Sequence, residues 1–138
     1  MNPTRICLDT NVWIFGLGYS NENCEKILDS LGKFKVSIPN QLRQELESNL
    51  WPEARTEFYH LVRIHSIELN YQHVSSTLID LFKQKGLKKG DAIIAAFCEW
   101  KQVEIVISDN RDFLWGLAPG HFFRVMSPKE FCDEFQLL

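Results

Sequence analysis

The chain has 138 residues, of which 45% are hydrophobic and 24% charged, and its net charge is −3 with an isoelectric point near 5.8. This length suits one domain, spanning residues 1–138, that buries its core without disulfides. The charge balance excludes a domain that binds nucleic acid through overall charge alone, so a phosphate-bearing partner would require a local basic patch or a metal ion.

The cysteines and histidines argue against a zinc site, because they form neither a C-x-x-C pair nor an H-x-x-x-H pair. Cys7 and Cys98 lie within apolar stretches and are expected to be small core residues in a reducing compartment. No signal peptide opens the chain, and no apolar run approaches the ~20 residues that a membrane span needs. We therefore expect a cytoplasmic protein without a membrane partner.

Predicted strands and helices alternate along the first half of the chain. In order, they are a strand at 5–8, a helix at 20–33, a strand at 34–38, helices at 41–50 and 52–63, and a weak strand at 65–69. Ser20 or Asn21 can cap the first of these helices. Pro52 suits the first turn of the helix that it begins.

The second half continues the alternation. It contains a helix at 74–85, a buried helix at 91–101, a strand at 103–107, a loop at 108–113, a short strand at 122–125 and a final helix after Ser127. Gly86 is a natural helix stop, and Ser127 with Glu130 forms a capping box. Strands separated by helices predict a three-layer α/β/α sandwich with a mainly parallel central sheet.

Acidic residues follow the predicted strands. Asp9 comes directly after the first strand, Asp91 begins the buried helix, and Asp109 and Asp112 follow the strand at 103–107. Because parallel strands bring their carboxyl ends to one edge, these acids can meet there. Glu45, in the helix after the second strand, can lean over the same edge.

Each acid also has an ordinary structural interpretation. Asp91 could cap its helix, for a gain of ~1 kcal/mol, and Asp9 and Asp109 could support turns. Glu45 and Glu47 flank the apolar stripe of their helix equally, so periodicity does not choose between them. The convergence is what favours function, because carboxylates gathered at a dry edge repel each other unless a cation neutralises them.

Oxygen ligands without histidine or cysteine favour a hard ion, Mg²⁺ or Mn²⁺. An ion of this kind can activate water and stabilise the charge on a phosphodiester during its hydrolysis. The acids therefore predict a metal-dependent nuclease.

The motifs "LDTNVWI" at 8–14, a glutamate in the helix after the second strand, "GDAIIAA" at 90–96 and "SDNRDF" at 108–113 occur in this order. The pattern resembles PIN domains, the metal-dependent ribonuclease family that includes the toxins of VapBC pairs. The resemblance implies that Asp9 and Asp91 are the main metal ligands and that Glu45 completes an acidic pocket. It also implies that Asn11 and Ser108 orient these acids.

The resemblance leaves the fourth acid open, because the loop offers Asp109, Asn110 and Asp112. Asp112 is the first choice, since family members often carry an acid just before the aromatic residue that is Phe113 here. Asp109 is the second choice, and Asn110 is expected to be a supporting residue.

Positive charge lies close to these acids. Lys88, Lys89 and Arg111 could form a rim that guides an RNA backbone. The alternative for the lysines is a solvated helix end that the helix dipole favours. Three tryptophans are expected to pack against the protein rather than to stack on bases, namely Trp51, Trp100 and Trp115.

The sequence thus predicts a Mg²⁺- or Mn²⁺-dependent endoribonuclease that acts on RNA, with the toxin of a toxin–antitoxin pair as one role. A phosphatase that uses Asp9 as a nucleophile is disfavoured, because the haloacid-dehalogenase-like pattern needs an acid where Asn11 stands. A weakly active or inactive PIN-like binding or assembly module is the other alternative. An antitoxin and a second copy of the chain are the expected protein partners, through exposed apolar residues such as Trp51 and Phe58.

Overall fold

Two short apolar runs, residues 6–8 and 105–107, form neighbouring strands whose side chains are almost completely buried. The computed structural model describes residues 2–138, and its strands are β1 (Arg5–Leu8), β2 (Lys35–Pro39), β3 (Glu68–Asn70), β4 (Ile105–Ile107) and β5 (Arg124–Met126). They form one sheet in the order β3-β2-β1-β4-β5, and every neighbouring pair is parallel. The predicted α/β sandwich with a parallel sheet is confirmed.

Helices follow the strands and cover the sheet. They are α1 (Thr10–Leu17), α2 (Glu22–Leu28), α3 (Asn40–Asn49), α4 (Pro52–Ile64), α5 (Ser76–Gln84), α6 (Lys89–Trp100), α7 (Arg111–Leu114) and α8 (Pro128–Glu134). Helix α1 packs against α2, α3 and α4, whereas α5 packs against α6. Across residues 2–138, none of the helices combines the length and the apolar character that a membrane span requires.

Several local predictions are confirmed by hydrogen bonds at the helix ends. Asn21, not Ser20, caps α2, since its Oδ1 accepts from the Cys24 N–H at 3.0 Å. Ser127 and Glu130 form the capping box of α8 through bonds of 3.0 and 3.1 Å. Short polar side chains at these positions satisfy backbone N–H groups that the helix leaves free.

Helix α1 was not predicted, because residues 10–17 are apolar nearly all round and show no stripe of helical period. The helix forms because Asp9 caps it, accepting from the Thr10 N–H at 2.8 Å, and because its neighbours bury it. Gly16 permits the close approach of α2, since a Cβ there would lie 2.5 Å from Leu28 Cδ1.

Residues 29–33 and 108–113 also differ from the prediction. The helix expected over 20–33 ends at Leu28 and is followed by a 3₁₀ turn at Leu31–Lys33, since Ser30 and Gly32 are poor helix formers. The loop expected at 108–113 contains the start of α7, whose N-terminus Asn110 caps.

Phe58 is only 1% exposed, so its predicted place on a docking surface is wrong. It shares the buried face of α4 with Ala54 and Val62, and its ring meets that of Trp13 edge to face at 4.9 Å. Trp51, which immediately precedes α4, is 42% exposed. Both residues are large and apolar, so their type alone did not reveal which of them is buried.

We expect Phe58→Ala to lower the free energy of unfolding by about 3–5 kcal/mol, because it leaves a cavity beside Trp13. The matched control Trp51→Ala removes a larger but partly exposed ring and should cost less. Denaturant titration of both variants measures the two losses in free energy of unfolding. Equal losses would contradict the burial of Phe58 against Trp13.

Candidate functional site

Asp9 joins the carboxyl ends of two adjacent strands. Its backbone N–H donates to the Ile107 carbonyl of β4 at 2.9 Å. Its side chain accepts from the Thr10 N–H through Oδ1 and from Ser108 Oγ through Oδ2, both at 2.8 Å. With 4% of its surface exposed, Asp9 is held in a single orientation at the edge where the sequence predicted it.

Burial raises the pKa of the Asp9 carboxyl, because a charged group is less favourable away from water. The hydrogen bonds from Ser108 and Thr10 lower this pKa, while the nearby charge of Glu45 raises it further. The ionised form of Asp9 therefore depends on these two donors.

Glu45, not Glu47, faces Asp9. Its Oε1 accepts from Thr10 Oγ1 at 2.6 Å, and its Oε2 accepts from Gln41 Nε2 at 2.8 Å. Glu47 instead accepts a hydrogen bond from the Tyr59 hydroxyl. The choice that helical periodicity left open is thus decided by the packing of α3 against α1.

Asp91 lies in the first turn of α6, where its Oδ2 accepts from Asn110 Nδ2 at 2.9 Å. Burial raises the pKa of Asp91 to about 6, and the negative charges of Asp9, Glu45 and Asp112 contribute to the shift. The charges of these acids act on one another because the fold brings them close together.

Gly90 allows α3 and α6 to meet at this point. A Cβ on Gly90 would lie 3.0 Å from Glu45 Oε2, so a larger residue would displace that carboxylate. The glycine of the "GDAIIAA" motif therefore has a steric role at the site.

These side chains surround a cleft of ≈ 230 Å³. The residues that line it are Asp9, Thr10, Asn11, Ile14, Glu45, Asn49, Asp91 and Asn110. None of these is a lysine or an arginine, so no cation among the lining residues offsets the three carboxylates.

The loop after β4 contributes an amide, not an acid, to the cleft lining. Asn110 lines the cleft, and its Oδ1 accepts from the Asp112 N–H at 2.9 Å. Asp112 is half-buried and close enough to raise the pKa of Asp91. Asp109 is exposed and is not a lining residue, so the structure places Asp112 nearer to the other acids.

The remaining predicted residues differ in their distance from the cleft. Asn11 lines the cleft and is exposed to solvent. Ser108 is buried and contacts the cleft only through its hydrogen bond to Asp9. Lys88, Lys89 and Arg111 are exposed and are not lining residues. Their contact with substrate stays a prediction.

The sequence reasoning missed Gln41 and Asn49, which hold Glu45 from both sides along α3. Gln41 donates to its carboxylate, and Asn49 Nδ2 donates to its backbone carbonyl at 2.7 Å. The i, i+4 spacing of these three polar residues on one helix was the available signal.

The donor set fits a hard divalent ion that keeps part of its water shell. Within residues 2–138, no three His, Cys, Asp or Glu side chains stand close enough together to hold an ion on their own. Mg²⁺ commonly binds through one or two carboxylates and retains several waters. Asp9 and Asp91 could supply those carboxylates, and the unbalanced charge of the cleft favours a cation.

The family model described as PIN domain matches residues 6–114, a span that contains every residue lining the cleft. The chain belongs to the PIN domain family. Members of this family are generally nucleases. The suggested resemblance is therefore confirmed over most of the chain.

Two solved structures share this fold. A chain of VapBC2 from Rickettsia felis, solved bound to a DNA fragment from their promoter, is similar with a TM-score of 0.61 and 14% identity, covering 88% of this chain and 97% of that one. PAE2754 from Pyrobaculum aerophilum is similar with a TM-score of 0.62 and 15% identity, covering 98% of this chain and 97% of that one. No curated protein sequence matches significantly. At these identities the two structures show the shared fold alone.

We expect Asp91→Asn to stabilise the metal-free PIN domain at pH 8. The pKa of Asp91 is raised from 3.8 to about 6 on folding, so its ionised form opposes folding above pH 6 and this penalty disappears as the pH falls towards 3.8. The carboxyl is partly hydrated, which reduces the effect to roughly 1 kcal/mol, or about 3 °C in melting temperature.

Thermal denaturation in EDTA at pH 8 and at pH 4 measures this gain, which should shrink at the lower pH. Asp109→Asn, at an exposed acid outside the cleft lining, is the control and should leave the melting temperature nearly unchanged. A lower melting temperature for Asp91→Asn at pH 8 would contradict the assigned repulsion.

Proposed function

We propose that this PIN domain is a Mg²⁺- or Mn²⁺-dependent endoribonuclease that hydrolyses RNA phosphodiester bonds. The observation that carries the proposal is the convergence of Asp9, Glu45 and Asp91 on one cleft whose lining residues include no cation. Such a cleft attracts a divalent ion. An ion held there would offset the repulsion between the three carboxylates and a negatively charged phosphodiester.

In this mechanism, Asp9 and Asp91 would hold the ion, which lowers the pKa of a water molecule and stabilises charge on the phosphate. Ser108 and the Thr10 N–H orient both oxygens of Asp9, and Asn110 orients Asp91. These bonds prepare the carboxylates before substrate arrives, so little reorganisation is needed during the reaction.

Glu45 is held by Thr10 and Gln41 and would take up the proton of the attacking water at its carboxylate. Attack on phosphorus breaks the bond to the 3′ oxygen, which takes up a proton from solvent water and leaves as a 3′-hydroxyl, while the other fragment keeps a 5′-phosphate. The proposal therefore includes the chemical identity of the two ends that cleavage produces.

The phosphatase alternative gains no support from the site. Both oxygens of Asp9 already accept hydrogen bonds in a buried position, which is unfavourable for a nucleophile. The amide of Asn11, two residues later, is far too weak an acid to act as a general acid. The inactive binding module remains the alternative that an activity measurement must separate.

We expect wild-type protein to cleave labelled single-stranded RNA in Mn²⁺ or Mg²⁺ and to lose this activity in EDTA. Asp91→Asn and Glu45→Gln should each lower kcat/KM by about 100-fold or more, the usual contribution of a catalytic acid–base group. Glu47→Gln, on the same helix and directed away from the cleft, is the matched control and should retain activity. Cleavage in EDTA, or undiminished cleavage by Asp91→Asn, would refute the metal-nuclease proposal.

Asp91→Asn is a cleaner probe than Asp9→Asn. An asparagine at position 9 would direct its NH₂ group at one of two hydrogen-bond donors, Ser108 Oγ or the Thr10 N–H, and would disturb the local structure. At position 91 the amide oxygen can still accept from Asn110.

Thermal denaturation with Mn²⁺ provides a readout that does not depend on turnover. When the free ion concentration is about 100 times the Kd, binding stabilises the folded state by about 2.7 kcal/mol. Asp91→Asn should lose that gain and Asp109→Asn should keep it.

We extend the proposal to the biological role, in which the protein is a cytoplasmic toxin of one domain that acts on RNA and is neutralised by an antitoxin. The structural similarity to a VapBC2 chain supports this role. The exposed Trp51 beside α4 is a candidate contact for an antitoxin or for a second copy in a homodimer.

We expect expression of the wild type, but not of Asp91→Asn, to arrest bacterial growth. The physical reason is that arrest by RNA cleavage requires the intact cleft. Growth curves of the two strains at matched protein levels test this role, with Glu47→Gln as the active control. Equal arrest by Asp91→Asn would exclude cleavage as its cause.

A further inference from the structure

Trp115 is the most exposed tryptophan in the chain. Its exposure is 77%, compared with 42% for Trp51, 43% for Trp100 and 0% for Trp13. The expectation that Trp115 packs against the protein is therefore wrong. A large apolar ring held in water near a candidate active site is available to a ligand.

The backbone beneath this indole is firmly anchored. Helix α7 is capped by Asn110, and Phe113 fastens it to the core with 1% exposure. The Trp115 N–H donates to the Arg111 carbonyl at 2.8 Å, and the Gly116 N–H donates to the Asp112 carbonyl at 3.1 Å. The ring is exposed because of where α7 directs it, and not because its segment lacks structure.

The same short helix connects Trp115 to the acidic cleft. Asn110, at the beginning of α7, lines the cleft and donates to Asp91, and Trp115 follows at its end. Five residues of helix rise by about 7.5 Å. This is about two steps of a stacked nucleic acid strand at 3.4 Å each, so the backbone that carries the indole lies about two nucleotide steps along the helix axis from Asn110.

A cation lies beside the indole, and further basic residues belong to the turn on which the following segment docks. The Arg111 guanidinium lies 5.9 Å from the ring centroid, a separation suited to a cation–π contact. The segment after Trp115 docks on the turn between α5 and α6, where the Ala118 N–H donates to the Lys85 carbonyl at 3.0 Å and Lys85 Nζ donates to the Pro119 carbonyl at 2.7 Å. That turn leads directly into Lys88 and Lys89 and then into Asp91.

We propose that Trp115, with Arg111 beside it, is a stacking platform for an unpaired RNA base next to the phosphate bound in the cleft. This proposal rests on the proposed ribonuclease function and specifies its substrate as single-stranded. Aromatic rings with neighbouring cations bind single strands because every base has a face to stack and every nucleotide carries a phosphate. A base inside a duplex is already stacked and cannot use the platform.

The charges favour RNA over a protein partner at this surface. Arg111, Lys88 and Lys89 are exposed beside a cleft of three carboxylates. Phosphates would follow the basic rim, with one phosphate reaching the metal-loaded cleft. The acids on either side of Arg111 in the chain are Asp109, which is exposed, and Asp112, which is half-buried.

The test is the affinity of the full chain for a labelled ten-nucleotide single-stranded RNA of mixed sequence, and for the same RNA annealed to its complement. Every protein compared carries Glu45→Gln and is measured in Mn²⁺, so the cleft keeps a cation, cleavage is slow, and fluorescence anisotropy reports binding. We expect Trp115→Ala to weaken single-strand binding by roughly 5- to 150-fold, the range that follows from removing one stacked base. Trp115→Phe should retain most of the affinity, and duplex binding should be unchanged in both.

Trp100→Ala is the matched control. Trp100 is also partly exposed with a cation over its ring, Lys101 Nζ at 4.0 Å, but it lies at the opposite end of α6 from Asp91. It should bind both RNAs as the wild type does. The effect of Trp115→Ala should also persist at raised salt, since stacking does not depend on screened charge.

Unchanged single-strand affinity in Trp115→Ala would overturn the platform, as would an equal loss for single strand and duplex. If wild-type protein cleaves RNA in Mn²⁺ while Trp115→Ala binds normally, this inference alone fails and Trp115 is left for a protein partner. If wild-type protein does not cleave RNA, the ribonuclease proposal fails, whereas the binding comparison still decides whether Trp115 stacks on bases.

Discussion

The site depends on the pairing of β1 with β4 and on the way Asp9 closes that pair. The register places Leu8 opposite Ile107, so the residues immediately after the two strands, Asp9 and Ser108, meet at the same height. Asp9 then bonds to the Ile107 carbonyl through its backbone and to Ser108 through its side chain. One carboxylate thereby ends a strand, caps α1 and provides the deepest acid of the cleft.

The position of the other acids follows from that arrangement. Thr10, the first residue of α1, donates to Glu45, and Asn110, two residues after Ser108, donates to Asp91. Each acid is thus held by a residue one or two positions along the chain from the Asp9–Ser108 contact. Because the polar contacts are shared among elements that the sheet already aligns, the cleft is largely assembled before any ion or substrate is bound.

The cost of this assembly is electrostatic. Burial and the neighbouring carboxylates raise the pKa of Asp91 to about 6, which means that its charged form is unfavourable in the metal-free fold. A cleft that served only the stability of the fold would not need three acids. In the proposed function a divalent cation would reduce this repulsion, so the same interaction that weakens the metal-free protein would favour the metal-loaded one.

The fold class and the identity of the main acids were determined by the sequence itself. Apolar runs separated by helical segments predicted the parallel sheet, and acids directly after strands had to lie at its carboxyl edge, because parallel strands share one direction. Asp9 was placed at this edge by the strand that it follows, whereas Asp91 begins a helix and was singled out by the resemblance of its motif to PIN domains.

Features that depend on contacts between distant segments could be decided only by the tertiary structure. The choice of Glu45 over Glu47, the burial of Phe58, the helical state of residues 10–17 and the place of Asn110 in the cleft lining all depend on which neighbour packs against them. The exposure of Trp115 belongs to the same group, since an indole in the sequence looks the same whether it faces the core or water. Periodicity reports the direction of a side chain along its own element, whereas the partner it meets is set by elements up to a hundred residues away.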